Sequence, residues 1–100
     1  MRRPDPLSDC AGFEWDEGNA PRIWVRHAVT PTECEQVFFT EPLLVEEDPR
    51  HSEAERRYYA LGRTDHGRLL FVAFTVRDRL IRIISARNMS RKEREVYRKP

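Results

Sequence analysis

Apolar residues recur along this chain with two different periods, and the places where the period changes divide it into elements. Near the start, Phe13-Glu14-Trp15-Asp16 alternates apolar and acidic residues, as a short strand or other extended segment would. Asn19 can then cap a helix whose first turn holds Pro21, with Ile23, Trp24 and His27 near one stripe. A second helix is better marked. Thr30-Pro31-Thr32-Glu33 is a capping box with proline at the first helical position, Cys34, Val37 and Phe38 follow at helical spacing, and Pro42 closes it. From Leu43 the period falls to two. Leu43-Leu44-Val45 begins a strand, and Arg56 to Arg63 alternates with Tyr58 and Ala60 on one face and Arg57, Tyr59 and Leu61 on the other. Asp65-His66-Gly67 is a turn, Arg68 to Val76 the most apolar strand, Arg77-Asp78-Arg79 a second turn, and Leu80 to Ala86 the last strand. Ser90-Arg91-Lys92-Glu93 is a second capping box, opening a basic helix through Arg98. The pattern predicts a single α+β domain with two N-terminal helices, a four-stranded antiparallel sheet and a C-terminal helix. It assigns residues 1–12 to a disordered leader and 13–100 to the domain.

Size and composition narrow the function. At 100 residues the chain supports one small core. Residues 1–12 hold no apolar run of the signal-peptide kind, and no stretch approaches the roughly 20 apolar residues a membrane helix needs, so a soluble cytoplasmic protein is expected. Cys10 and Cys34 are far apart and without a CxxC neighbour; free thiols follow, Cys10 in a mobile tail and Cys34 on the buried side of a helix. The net charge of +1 hides an imbalance, because residues 1–50 carry −6 and residues 51–100 carry +7. Either the basic half meets a polyanion, or the two halves neutralise each other within the fold.

Motifs that would point to other chemistry are missing. There is no GxGxxG, phosphate loop, HExxH or GxSxG, and His27, His51 and His66 lack metal-ligand spacing, so no cofactor and no metal is expected. What remains is arginine on strands: Arg57, Arg63, Arg68, Arg77, Arg82 and Arg87. A meander sets such positions side by side, where guanidiniums can grip phosphate and stabilise the extra negative charge of a cleavage transition state. RNA brings its own nucleophile, the 2′-hydroxyl, so orientation, charge and proton transfer suffice. The same arginines could instead pair across the sheet with Glu46, Glu47, Glu53, Glu55 and Asp78. Trp15, Phe38, Phe71 and Phe74 read as core, Tyr97 as packing on the sheet, and Glu93 as a capping residue.

An ordered series of segments carries a resemblance. Phe13-Glu14-Trp15-Asp16, Arg26-His27-Ala28-Val29-Thr30 and Val37-Phe38 come first. Asp48-Pro49-Arg50-His51-Ser52, Glu55-Arg56-Arg57, Leu61-Gly62-Arg63-Thr64, Gly67-Arg68-Leu69-Leu70 and Arg82-Ile83-Ile84-Ser85-Ala86-Arg87 follow. Together they resemble BrnT toxins over about residues 13 to 98. The resemblance implies a RelE-like fold of helices on an antiparallel sheet, and a type II toxin whose ribonuclease activity cleaves RNA and arrests translation; with no ligand-spaced cluster in the chain, that endoribonuclease is expected to be metal-independent. It also implies a BrnA-type antitoxin, through which alone operator DNA would be contacted. Carried onto this chain, it makes Arg63, Arg77, Arg82, Arg87 and His51 the candidate catalytic residues. Arg57, Arg68 and His27 become candidate RNA contacts. An antitoxin would meet Trp24, Arg57, Arg63, Arg77 and Arg82. Two departures stand out: the family's glycine after histidine is Ala28, and an asparagine frequent just before it is replaced by Ile23. A non-catalytic nucleic-acid-binding module, or a degenerate toxin that keeps only its antitoxin interface, would show the same arginines.

Overall fold

The computed structural model describes residues 6–15, 27–51 and 55–99. Five strands form one mixed sheet: β1 (Gly12–Glu14), β2 (Leu44–Glu47), β3 (Tyr58–Arg63), β4 (Leu69–Arg77) and β5 (Leu80–Asn88), in the spatial order β1-β5-β4-β3-β2. Helix α1 (Pro31–Phe39) packs on one face, and α2 (Arg91–Arg98) lies against β3 from the other side. The expected antiparallel meander is present in β2 to β5. Beyond it, β1 pairs parallel to β5, with Phe13 opposite Ile81, so the sheet has five strands rather than four and is not purely antiparallel. Three residues are too few to show a period, and no local turn announces a partner nearly 70 residues away. The expected first helix lies mainly in residues outside the described ones, Asn19 and Trp24 among them; only its final position, His27, is described as helical.

Both capping boxes are formed. Thr30 Oγ1 accepts from the Glu33 backbone N–H and the Glu33 carboxylate accepts from the Thr30 N–H; Ser90 and Glu93 repeat the arrangement. Alternation then fills the core. Leu70, Val72 and Phe74 of β4 and Ile81, Ile83 and Ala86 of β5 face α1, whose Cys34 and Val37 are buried among them. The helix comes down directly on Gly62: a Cβ there would stand 2.7 Å from Val37 Cγ1, so only glycine admits this approach. Burial pushes the Cys34 thiol up to about 12, which leaves it an inert core group.

The turns are equally specific. Asp78 and Arg79, both with positive φ (54° and 67°), close a two-residue hairpin between β4 and β5, and Gly67 (φ 86°) turns β3 into β4. Where the resembling family carries glycine, Ala28 has φ 52°, the left-handed conformation that glycine would adopt without strain. The chain is also ordered earlier than its prolines suggested. Residues 6–9 form a turn, and Leu7 and Cys10 pack against the core. The Ala11 N–H donates to the Arg79 carbonyl, so Cys10 is not in a mobile tail.

Candidate functional site

The sheet face turned away from α1 is built by the alternate residues of each strand. Tyr59, Leu61 and Arg63 of β3 lie beside Ala73, Phe71 and Leu69 of β4, and Ala73 and Phe71 lie beside Ser85 and Arg87 of β5. Further along, Thr75 pairs with Arg82, and Arg77 with Leu80. Arg57, one step before β3, continues the alternation onto this face, since the Asp48 N–H donates to its carbonyl and extends the β2–β3 ladder. Arg57, Arg63, Arg77, Arg82 and Arg87 thus share one face; simple alternation would set Arg82 and Arg87, five residues apart, on opposite sides, and the irregularity in the β4–β5 register at Ala73/Phe74 brings them together.

Arg68 and His27 do not. Arg68 reaches toward α1 and donates to the Glu33 carboxylate, the carbonyls of Ala28 and His27, and the Asn88 side chain, tying the segment before α1 to the end of β5. This is structural work on the core side of the sheet. His27 has an exposed side chain there, and its carbonyl is one of the groups Arg68 holds. His51 ends a short 3-10 turn (Pro49–His51) after β2; its backbone lies at the Arg57 end of the sheet. Trp24 lies outside the described residues.

One end of the open face is covered. Leu61, Met89 and Tyr97 form a second, smaller core beneath α2, flanked by Tyr59, Leu69 and Phe71. Tyr97 is buried, its hydroxyl donating to the Pro42 carbonyl at 2.6 Å, so it packs as expected; Arg63 donates to the neighbouring Glu41 carbonyl. Phe71, read as core from sequence, belongs to this second layer. Its ring stacks on Tyr59 (centroids 5.5 Å apart), and the Arg87 guanidinium lies 4.2 Å from the Phe71 centroid.

The arginines of the middle and far end meet carboxylates. Arg87 makes a bidentate pair with Glu93 (2.8 and 2.9 Å), the residue that also closes the capping box of α2. Arg82 reaches Glu14 on β1 at 3.0 Å, and Arg77 grips Glu55 through two donors. Glu55 was the only expected cross-sheet acceptor found in such a pair among the described residues; Glu14, Glu33 and Glu93 were not anticipated. Hydrogen bonding from Arg87 holds the Glu93 carboxyl below the usual range, and Arg77 does the same for Glu55. All three pairs remain partly exposed, so they are screened and exchangeable rather than locked.

Between Arg82 and Arg87 the floor is low. Ala73 and Ser85 face each other across β4 and β5, and Tyr59 stands beside Ala73 in the same row. The two arginines are five residues apart on β5, on the order of 16 Å, so they flank this row from opposite sides. Burial, with the nearby carboxylates of Glu46, Asp48 and Glu93, pushes the Tyr59 hydroxyl above its ordinary value, so it keeps its proton at neutral pH. The period-two pattern had already placed Tyr59 on the arginine face; its chemistry went unread because a tyrosine in a strand looks like packing.

The BrnT family of ribonuclease toxins from type II toxin–antitoxin systems matches residues 15–93. The chain belongs to this family. No curated protein matches it. The matched span of this BrnT chain holds every arginine of the open face, together with Tyr59 and the Arg87–Glu93 pair. Membership makes the chain a ribonuclease toxin and implies an antitoxin partner. Among the described residues, no helix is long and apolar enough to cross a membrane.

Proposed function

We propose that this BrnT toxin is a metal-independent endoribonuclease, acting in the cytoplasm, that cleaves RNA on the open sheet face. It arrests translation and is neutralised by a BrnA-type antitoxin laid over the same face. The observation that carries the reading is the row Tyr59, Ala73, Ser85, low in the middle and flanked by Arg82 and Arg87. An RNA strand crossing this row has its phosphates within reach of both guanidiniums once they exchange Glu14 and Glu93 for phosphate oxygens, a trade between two anionic acceptors. The 2′-oxygen attacks the adjacent phosphorus, the bond to the 5′-oxygen breaks, and the products are a 2′,3′-cyclic phosphate and a 5′-hydroxyl. Arg82 and Arg87 offset the charge that builds on the phosphate, assisted by Arg77 at the far end and Arg63 at the near end. His51 takes the 2′-hydroxyl proton, and the protonated Tyr59 supplies one to the departing 5′-oxygen. The charge for this chemistry comes from arginine, and among the described residues no three metal-ligating side chains gather in a group.

Purified protein incubated with RNA in EDTA tests the proposal. Cleavage leaving 2′,3′-cyclic phosphate ends is expected. Activity that vanishes in EDTA and returns with magnesium or manganese would overturn metal independence. Wild-type protein that binds RNA without cutting it would make the chain a non-catalytic nucleic-acid-binding module.

A further inference from the structure

Among the described residues, the largest cluster of cations without counterions lies outside the sheet. Helix α2 and the following Lys99 carry five cations, Arg91, Lys92, Arg94, Arg98 and Lys99, against two carboxylates, Glu93 and Glu95. Glu93 is taken by Arg87, and Glu95 only approaches Arg91, at 3.7 Å with both side chains largely exposed. Lys92, Arg98 and Lys99 are exposed, and their side chains make no hydrogen bond or ion pair among the described residues. The helix is held to the sheet by one buried residue, Tyr97, together with the Glu93–Arg87 pair, so its remaining surface faces solvent. It extends about 12 Å. Through Arg87 it is continuous with the row where cleavage is proposed.

We propose that the outer surface of α2 is an electrostatic grip for the backbone of the RNA substrate, holding phosphates to one side of the cleavage row. The inference rests on the ribonuclease reading above. The chemistry selects a polyanion over a folded protein partner: the only large apolar side chain exposed on α2 is Val96, too little to anchor a protein interface, whereas clustered lysine and arginine release counterions when they meet phosphates. Lys92 lies within the span that matches the family, and Arg94, Arg98 and Lys99 lie just beyond it.

A non-cleavable probe separates binding from catalysis. A single-stranded RNA with methylated 2′-hydroxyls lacks the nucleophile, and its affinity can be measured across a salt series for the wild type and for Lys92→Gln/Arg98→Gln/Lys99→Gln. The triple variant should melt within a few degrees of the wild type and bind about tenfold more weakly at low salt, with a log–log salt slope shallower by about 2. Lys92→Arg/Arg98→Lys/Lys99→Arg should restore both. If the wild type binds and cleaves RNA but the neutral variant keeps the full slope, the grip is wrong and the ribonuclease reading stands. If the wild type neither binds nor cleaves RNA, both fall. If the neutral variant loses antitoxin affinity while its RNA slope is unchanged, α2 serves a protein partner and the inference is overturned.

Discussion

The open sheet face and the C-terminal helix are both rich in cations, but they differ in what surrounds them. On the face, Arg77, Arg82 and Arg87 each rest against a carboxylate supplied by another segment. On the helix, Lys92, Arg98 and Lys99 rest against solvent. A guanidinium held by a carboxylate is oriented in advance and gives up little entropy when phosphate replaces the acid, which suits a transition state. A free lysine or arginine on a helix surface has no fixed geometry and attracts any phosphate within reach, which suits binding. The two regions should therefore affect different kinetic constants.

The largest effect is expected on the face. Arg82→Ala and Arg87→Ala should each lower kcat about a hundredfold or more, with a much smaller rise in KM, and relieve growth arrest. The α2 triple variant should do the reverse, raising KM and leaving kcat. A melting curve decides how a loss on the face is read. Lost activity with stability intact assigns the arginine to chemistry, and collapse of the fold assigns it to structure.

Arg68 sharpens the contrast from the core side. Removing it takes the Arg68 donors from the Ala28 and His27 carbonyls and the Asn88 side chain, and the charged partner from the Glu33 carboxylate, which keeps only Thr30. Arg68→Ala should cost about 2 kcal/mol of stability in urea unfolding. Activity per folded molecule should barely change. A hundredfold loss in kcat with stability intact would return Arg68 to the site.

What the sequence disclosed follows from how local each signal is. The two capping boxes, the alternation that put Arg57, Tyr59 and Leu61 on one face, and the turns at Gly67 and Asp78-Arg79 depend on neighbours within a few residues, and all are present. The acids that hold the arginines come from remote segments. Arg82–Glu14 and Arg68–Glu33 join the basic half to the acidic half, so mutual neutralisation, one of the two readings of the charge imbalance, is realised at these pairs. Glu93 is six residues from Arg87 and still went unseen as its partner, because its capping role explained it fully. Ala28 is the opposite case: a departure from the family visible in sequence acquires its cost only with a backbone angle.

That cost yields a prediction with no catalytic component. Ala28→Gly should raise stability by about 1 kcal/mol and leave cleavage unaltered. A destabilised glycine variant would mean that the left-handed conformation carries no strain.

The smallest effect links the two regions. Glu93→Gln keeps the capping box, since glutamine can still accept from the Ser90 N–H, but removes the charge opposite Arg87. The loss should be about 0.5 to 1 kcal/mol at neutral pH, given the partial exposure of the pair. Because Arg87 holds the Glu93 carboxyl below its ordinary 4.5, that contribution is complete above this value and disappears as pH falls through the lowered one. The gap between wild type and variant should thus be flat from about pH 7 to about pH 5 and close in stronger acid. A gap that widens in acid would mean that the pair does not stabilise the fold.

The most direct test of the catalytic face is the arginine Nε–Hε NMR spectrum, recorded while the 2′-methylated RNA is added. Exchange of Glu14 and Glu93 for phosphate predicts that the Arg82 and Arg87 resonances shift together with bound RNA, while Arg68, held by Glu33 on the core side, stays in place. Saturating RNA that leaves Arg82 and Arg87 unmoved would contradict the assignment of RNA cleavage to this face.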